Sequence, residues 1–314
     1  MKKDELMLML PVNRPLVTRG KGMQLGKKSK TTDIYEKVRG ELGPEAEDAP
    51  LVAPSPAAAA AEAPSTRASL SAERDPIHIT VAETMSAKLS RDGALKSFEV
   101  KGDLQLRISD TSFTKAKLDL TANATHGAQY RTHPNVDKAL FSNQKVIQLK
   151  DTSKRFPANN AIGVLRWRIA SSGETDLLPI TFTVWVNKGS DSTTVTVEYE
   201  LTGSDSLQDV AVTIPFQTVE PTITSFDSNY EVTGDTLDWN IGHVDTSNSS
   251  GSFEFESSDP ESDENEFFPM NVQFTKSTSF ADVDVRSVSL LDMEGESVGF
   301  TQDVKCVADG YTIE

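Results

Sequence analysis

The sequence predicts an all-β fold, a two-lobed antiparallel β-sandwich behind a disordered arm and linker. Three observations carry this. From Pro76 onward, short segments alternate apolar and polar side chains. Turn-forming clusters separate them, among them Arg91-Asp-Gly93, Lys188-Gly-Ser190, Gly203-Ser-Asp205 and Thr233-Gly-Asp235. No convincing helical period intervenes. Strands at such spacing build a sandwich, and the stretch from Pro76 to Glu314 is too long for a single small one. No Pro- or Gly-rich linker divides that stretch, so two joined lobes are expected rather than tandem independent domains.

The front of the chain reads differently. Residues 1–75 hold no sustained core pattern. Ile34, Val38 and Leu42 lie four apart, which allows a short helix over Thr32–Leu42, marginal on its own. Gly43–Thr66 is mostly Ala, Pro, Glu and Ser, the composition of an extended linker. Residues 1–40 carry ten basic side chains against four acids, whereas the whole chain has a net charge of −16, leaving −22 for the rest. An acidic body of that size opposes nonspecific nucleic-acid binding, which needs clustered cations. The basic arm is a solvated tail that could touch an anionic membrane or an acidic partner. The lone Cys306 forms no intrachain disulfide, which suits a reducing compartment. No run of 18 apolar residues is present to form a spanning helix. Leu6–Val12 is too short, and too interrupted by Pro11, for a secretory leader.

From Pro76 the strands follow in order. Ile77–Val81 alternates; Phe98–Lys101 leads over Gly102 to Leu104–Ile108; Lys117–Leu120 alternates again. Ile162–Ile169 is the most regular. Leu165, Trp167 and Ile169 are expected on its dry face, and Val164, Arg166 and Arg168 on its wet face. Thr194–Leu201 buries Val195, Val197, Tyr199 and Leu201. Thr236–Ile241 buries Leu237, Trp239 and Ile241, and Ser252–Glu256 turns Phe253 and Phe255 inward.

Catalytic patterns are missing. The four histidines, His78, His126, His133 and His243, share no metal-ligand spacing with a Cys, a carboxylate or one another. No phosphate-binding glycine loop, dinucleotide fingerprint or nucleophile elbow occurs, so no cofactor is expected. His133 reads as a loop histidine bonded to nearby backbone, and Cys306 as a buried, idle thiol. The acidic run Asp259–Glu266 lacks the glycine and spacing of a calcium loop and reads as a solvated hairpin loop. These features favour a binding module over an enzyme. An all-β carbohydrate-binding or hydrolase-like protein is the alternative, since any acidic β protein offers carboxylate pairs.

Several segments carry a resemblance. Gly22–Lys30, Thr132–Lys138 with Phe141, Gly163–Arg168, Glu198–Leu201, Val212–Pro215, Gly251–Phe255 and Phe267–Pro269 resemble, in order, the delta-subunit family of the coatomer (COPI) coat. The resemblance implies that Pro76–Glu314 is a mu homology domain. Lobe A would be about 76–190 and 276–314, and lobe B, about 191–275, would be inserted into it. The family begins with a longin-type domain, to which residues 1–21 do not correspond, so this chain is expected to lack it. Related clathrin-adaptor chains bind tyrosine signals through a Trp and an Arg on a C-terminal strand. Val298–Val307 has neither, so that ligand is not expected.

The resemblance instead implies binding of short tryptophan-based motifs, carried by an ER tethering factor and an Arf GTPase-activating protein. It also implies partnership with other coatomer subunits and peripheral attachment, from the cytoplasm, to Golgi membranes and COPI vesicles, in Golgi-to-ER and intra-Golgi transport. The peptide site is expected around Pro221-Thr-Ile-Thr-Ser225, a short Thr-rich edge strand after a proline. Ile223 would floor an indole pocket, with Pro221 and Ser225 beside it. Tyr230 and Trp239 are candidate walls, though each also suits a core.

Overall fold

A computed structural model describes residues 75–217, 219–258 and 263–314, all within one unit spanning Glu62–Glu314. The expected helix at Thr32–Leu42 and the linker after it lie outside the described residues.

Seventeen strands follow in chain order: β1 (Ile77–Leu89), β2 (Leu95–Ile108), β3 (Ala116–Thr121), β4 (Gln129–Thr132), β5 (Val146–Ile147), β6 (Ala161–Ser171), β7 (Ile180–Lys188), β8 (Thr193–Leu201), β9 (Leu207–Pro215), β10 (Thr222–Ile223), β11 (Tyr230–Thr233), β12 (Thr236–Val244), β13 (Ser250–Ser257), β14 (Met270–Lys276), β15 (Asp284–Leu290), β16 (Met293–Val298) and β17 (Thr301–Ile313). They form three sheets. The largest has nine strands in the order β11-β12-β9-β14-β17-β1-β2-β6-β4. Two four-stranded sheets run β10-β13-β8-β7 and β16-β15-β3-β5.

Between the named strands of the described residues, pairing is antiparallel with one exception. β1 and β17 run parallel at the centre of the large sheet, His78 opposite Thr301 and Leu89 opposite Ile313. A parallel pair cannot be closed by a hairpin. Here almost the whole domain forms the connection. β7 pairs along its length with β8, so it belongs to the second sheet.

Alternation is borne out on β8 and β13. Val195, Val197, Tyr199, Leu201, Phe253 and Phe255 are all buried. On β6 it fails at one residue. Val164, expected on the wet face, is fully buried beside Leu165. The register shows why: Leu104 faces Leu165 while Gln105 faces Gly163, leaving Val164 as the extra residue of a β-bulge. A bulge turns two neighbours to one side. Arg166 and Arg168 do reach acids, Asp103 and Glu99.

β2 is one uninterrupted strand, and Gly102 lies inside it. Gly102 stands opposite Trp167 on β6 and Glu83 on β1. A Cβ there would sit 1.9 Å from Trp167 Cε2. The missing side chain lets the indole cross β2, and its Nε1 donates to Glu83 Oε1 at 2.8 Å.

A short helix was not anticipated. α1 (Lys138–Gln144) is capped by Asp137, whose carboxylate accepts from Leu140 N at 3.0 Å, and closed by Lys145 in the left-handed region. Residues 259–262 of the acidic run lie outside the described residues; the run stands between β13 in one sheet and β14 in another, so it does not close a hairpin. Asp263 caps a single turn of 3-10 helix, Glu264–Phe267, there, and Phe267 is core.

Candidate peptide-binding site

β10 is two residues long because Pro221 cannot donate to a ladder and the chain turns away after Ile223. It is the edge of its sheet, bonded to β13 alone, with Thr222 opposite Glu256 and Ile223 opposite Phe255. The loop after it is tied down. Thr224 Oγ1 donates to the Glu254 carboxylate at 3.0 Å, and Ser225 Oγ accepts from Glu254 N at 2.8 Å. Thr196 Oγ1 reaches the same carboxylate at 3.1 Å. A two-residue edge strand is thereby held by side chains as much as by the ladder.

The loop then delivers β11, the edge of the nine-stranded sheet. Two sheets therefore offer unpaired edges within a few residues of each other in sequence. Pro221 is buried, Ile223 and Ser225 are half-buried, and Ile223 packs on the core margin. Tyr230, a possible core residue by sequence, is 42% exposed. Its ring lies 6.1 Å from Phe253, and it pairs with Trp239 across β11 and β12. Trp239 is 4% exposed and stacks on Phe253 at 5.1 Å. Its indole packs between Phe253 and Tyr199 rather than offering a free face. The structure thus brings Pro221, Ile223 and Ser225 together on one edge and places Tyr230 on the next, with Trp239 behind it.

Sequence reasoning missed Phe226, which is 90% exposed. Its signal was a lone aromatic in the polar turn Ser225-Phe-Asp-Ser-Asn229. It also missed Glu254, which lies between Phe253 and Phe255. Carboxylates beside an apolar edge suit an indole, whose N–H only donates. The same sheet already shows this pairing: exposed Trp185 on β7 places Nε1 3.3 Å from Glu198 Oε2.

His133 behaves as expected, its Nδ1 accepting from Asn135 N at 3.2 Å. Cys306 is fully buried, and desolvation pushes its thiol up to about 12. Among the described residues no group of three His, Cys, Asp or Glu is placed to hold a metal.

Residues 63–314 match the adaptor complexes medium subunit family. The chain belongs to that family. Within it, the similarity is to coatomer delta subunits. Coatomer subunit delta of Dictyostelium discoideum is 36% identical over 242 residues, covering 76% of this chain and 43% of the relative. Coatomer subunit delta-4 of Oryza sativa subsp. japonica is 30% identical over 301 residues, covering 94% of this chain and 76% of the relative. The chain spans about half the length of most of the curated relatives it matches. Among solved structures, the yeast delta-COP-I mu-homology domain superposes with a TM-score of 0.68 at 30% identity, covering 76% of this chain and 98% of that one. The same yeast domain, complexed with a Dsl1 WxWxV peptide, superposes equally well.

Proposed function

We propose that this chain supplies the mu homology domain of a COPI coat subunit and captures short tryptophan-based peptides at the edge formed by β10 and β11. The observation that carries the reading is the likeness, at 30% identity and a TM-score of 0.68, to a yeast delta-COP domain complexed with a WxWxV peptide. The site supports it chemically. Half-buried Ile223 gives an apolar floor at a sheet edge, and exposed Phe226 and Tyr230 follow it in sequence. Two indoles with a few hydrogen bonds, less the cost of ordering a peptide, correspond to roughly micromolar affinity.

In this reading the domain works from the cytoplasm within a heteromeric coat. It is peripheral to Golgi membranes and vesicles and serves Golgi-to-ER and intra-Golgi transport. Its partners are other coatomer subunits, an ER tethering factor and an Arf GTPase-activating protein. A nested two-lobe division accompanies it, β8–β14 forming the inserted lobe and β7 hydrogen-bonded to that lobe's sheet.

The test is calorimetry with a Trp-x-Trp peptide. Ile223→Ser is expected to abolish binding while the thermal melt stays cooperative. Binding that survives would sink the assignment, and a fold lost along with binding would make Ile223 a core residue and sink it too.

A further inference from the structure

Far along the chain from β10, a small cavity of about 100 Å³ opens beside the end of β4. His133, Lys150, Lys154 and Arg155 line it over a floor that includes Phe156 and Ile162. Lys150, Lys154 and Arg155 group three cations within six residues of the acidic body, which carries −22 beyond residue 40. One acid, Asp151, lies among them, 3.8 Å from Lys154. Lys150 and Arg155 form no ion pair among the described residues. The lining therefore carries +2.

The cavity is built rather than incidental. Asp151 Oδ1 accepts from Ser153 N at 3.0 Å and from Ser153 Oγ at 2.6 Å, and these bonds hold its carboxyl below the usual range. Lys150 N donates to Asn135 O at 2.9 Å, Phe156 N to Thr114 O at 2.8 Å, and Asn159 N to Ile108 O at 2.7 Å. The loop backbone is pinned before, within and after its basic run, so the ordering cost of a ligand is confined to the exposed side chains of Lys150, Lys154 and Arg155. His133 Nδ1 is already an acceptor. In the neutral ring the proton then sits on Nε2, which is a further donor.

We propose that this cavity receives the phosphate of a phosphoserine or phosphothreonine in a partner peptide. The cavity has room for a phosphate group. The charge fits as well. A phosphomonoester carries about −1.5 to −2 at neutral pH and balances the lining, whereas a carboxylate leaves it half neutralised. A peptide is favoured over a membrane by magnitude. Polybasic lipid-binding segments need about four to eight cations, and the acidic body is repelled by an anionic bilayer. A peptide also finds a place to lie, because β4 is the edge strand opposite β11 in the nine-stranded sheet and runs directly into His133.

The isotope-labelled full chain is titrated, by NMR, with acetyl-Gly-Val-phosphoserine-Val-Gly amide, its unphosphorylated twin, inorganic phosphate, and phosphatidylcholine vesicles doped with phosphatidylinositol phosphate. The phosphopeptide is expected to move the amides of 149–157 and the His133 ring saturably, and the twin is not. Lys150→Glu and Arg155→Glu should each weaken binding by about tenfold or more, as expected for loss of a charge-assisted bond, with an unchanged melt. Should a charge reversal fail to fold, Lys150→Gln gives the same readout with a smaller loss. Equal binding of the twin, equal affinity for inorganic phosphate (an adventitious ion only), vesicle capture that depends on Lys150, or indifference to all three substitutions would each overturn the proposal.

Discussion

Glu83 shows how one residue can organise a neighbourhood. It is 2% exposed, yet its carboxylate accepts from Trp167 Nε1, from Ser279 Oγ at 3.2 Å, from Ala281 N at 3.1 Å and from Phe280 N. A buried carboxylate is tolerated only when its lone pairs are filled this way. Gly102 makes the first of those bonds reachable. Cys306 belongs to the same region, and burial, then the Glu83 charge, raise its thiol from an ordinary 9.0 to about 12. Tyr130, half-buried over Trp167, rises from 10.0 to about 12, again mainly by desolvation. In both cases the folded chain holds its proton longer than the unfolded chain does. Their contribution is therefore complete below pH 9 and is lost as pH climbs from 9 to 12. Urea unfolding at stepped alkaline pH should show stability falling through that window, and Cys306→Ala should flatten the first part of the fall. A pH-independent midpoint there would contradict the burial of both groups.

At the scale of elements, β11 and β12 separate two roles that sequence alone had left together. Trp239 and Tyr230 are cross-strand partners on one hairpin, but one is buried and the other exposed. Trp239→Ala removes the ring stacked on Phe253 and should cost about 3–5 kcal/mol, visible in the urea midpoint. Tyr230→Ala should cost roughly 1 kcal/mol or less and act instead on affinity for the Trp-x-Trp peptide. The reverse pattern would remove Tyr230 from the site. Strand positions were legible because period-two alternation is imposed by the pleat itself. The exceptions have local causes. The bulge at Val164 depends on what β2 presents across the ladder, and α1 is only seven residues long, too few for a periodic signal. Ile223 as an edge residue could be read from Pro221 and the threonines. Glu254 could not, because its role arises from strands far apart in sequence.

For the whole molecule, the order of strands in space was the least legible feature. Nothing in Ile77–Leu89 or Thr301–Ile313 announces that they lie side by side and parallel. That pairing is non-local by more than two hundred residues, and loop closure on that scale slows folding. A chain shortened to end at Phe300 should lose its cooperative melt outright, because β17 lies between β14 and β1 rather than at an edge. Circular dichroism would check this, and a native-like melt of the shortened chain would mean the central pairing is dispensable.

The adjacency of β1 and β17 also bears on how the protein is made. At ribosomal speeds of about 5–20 residues per second, β1 emerges roughly 10–45 s before β17 begins to leave the tunnel. Throughout that interval the flank of β1 destined for β17 has nothing to bond to. The nascent polypeptide must keep a bare strand edge from aggregating until β17 has emerged.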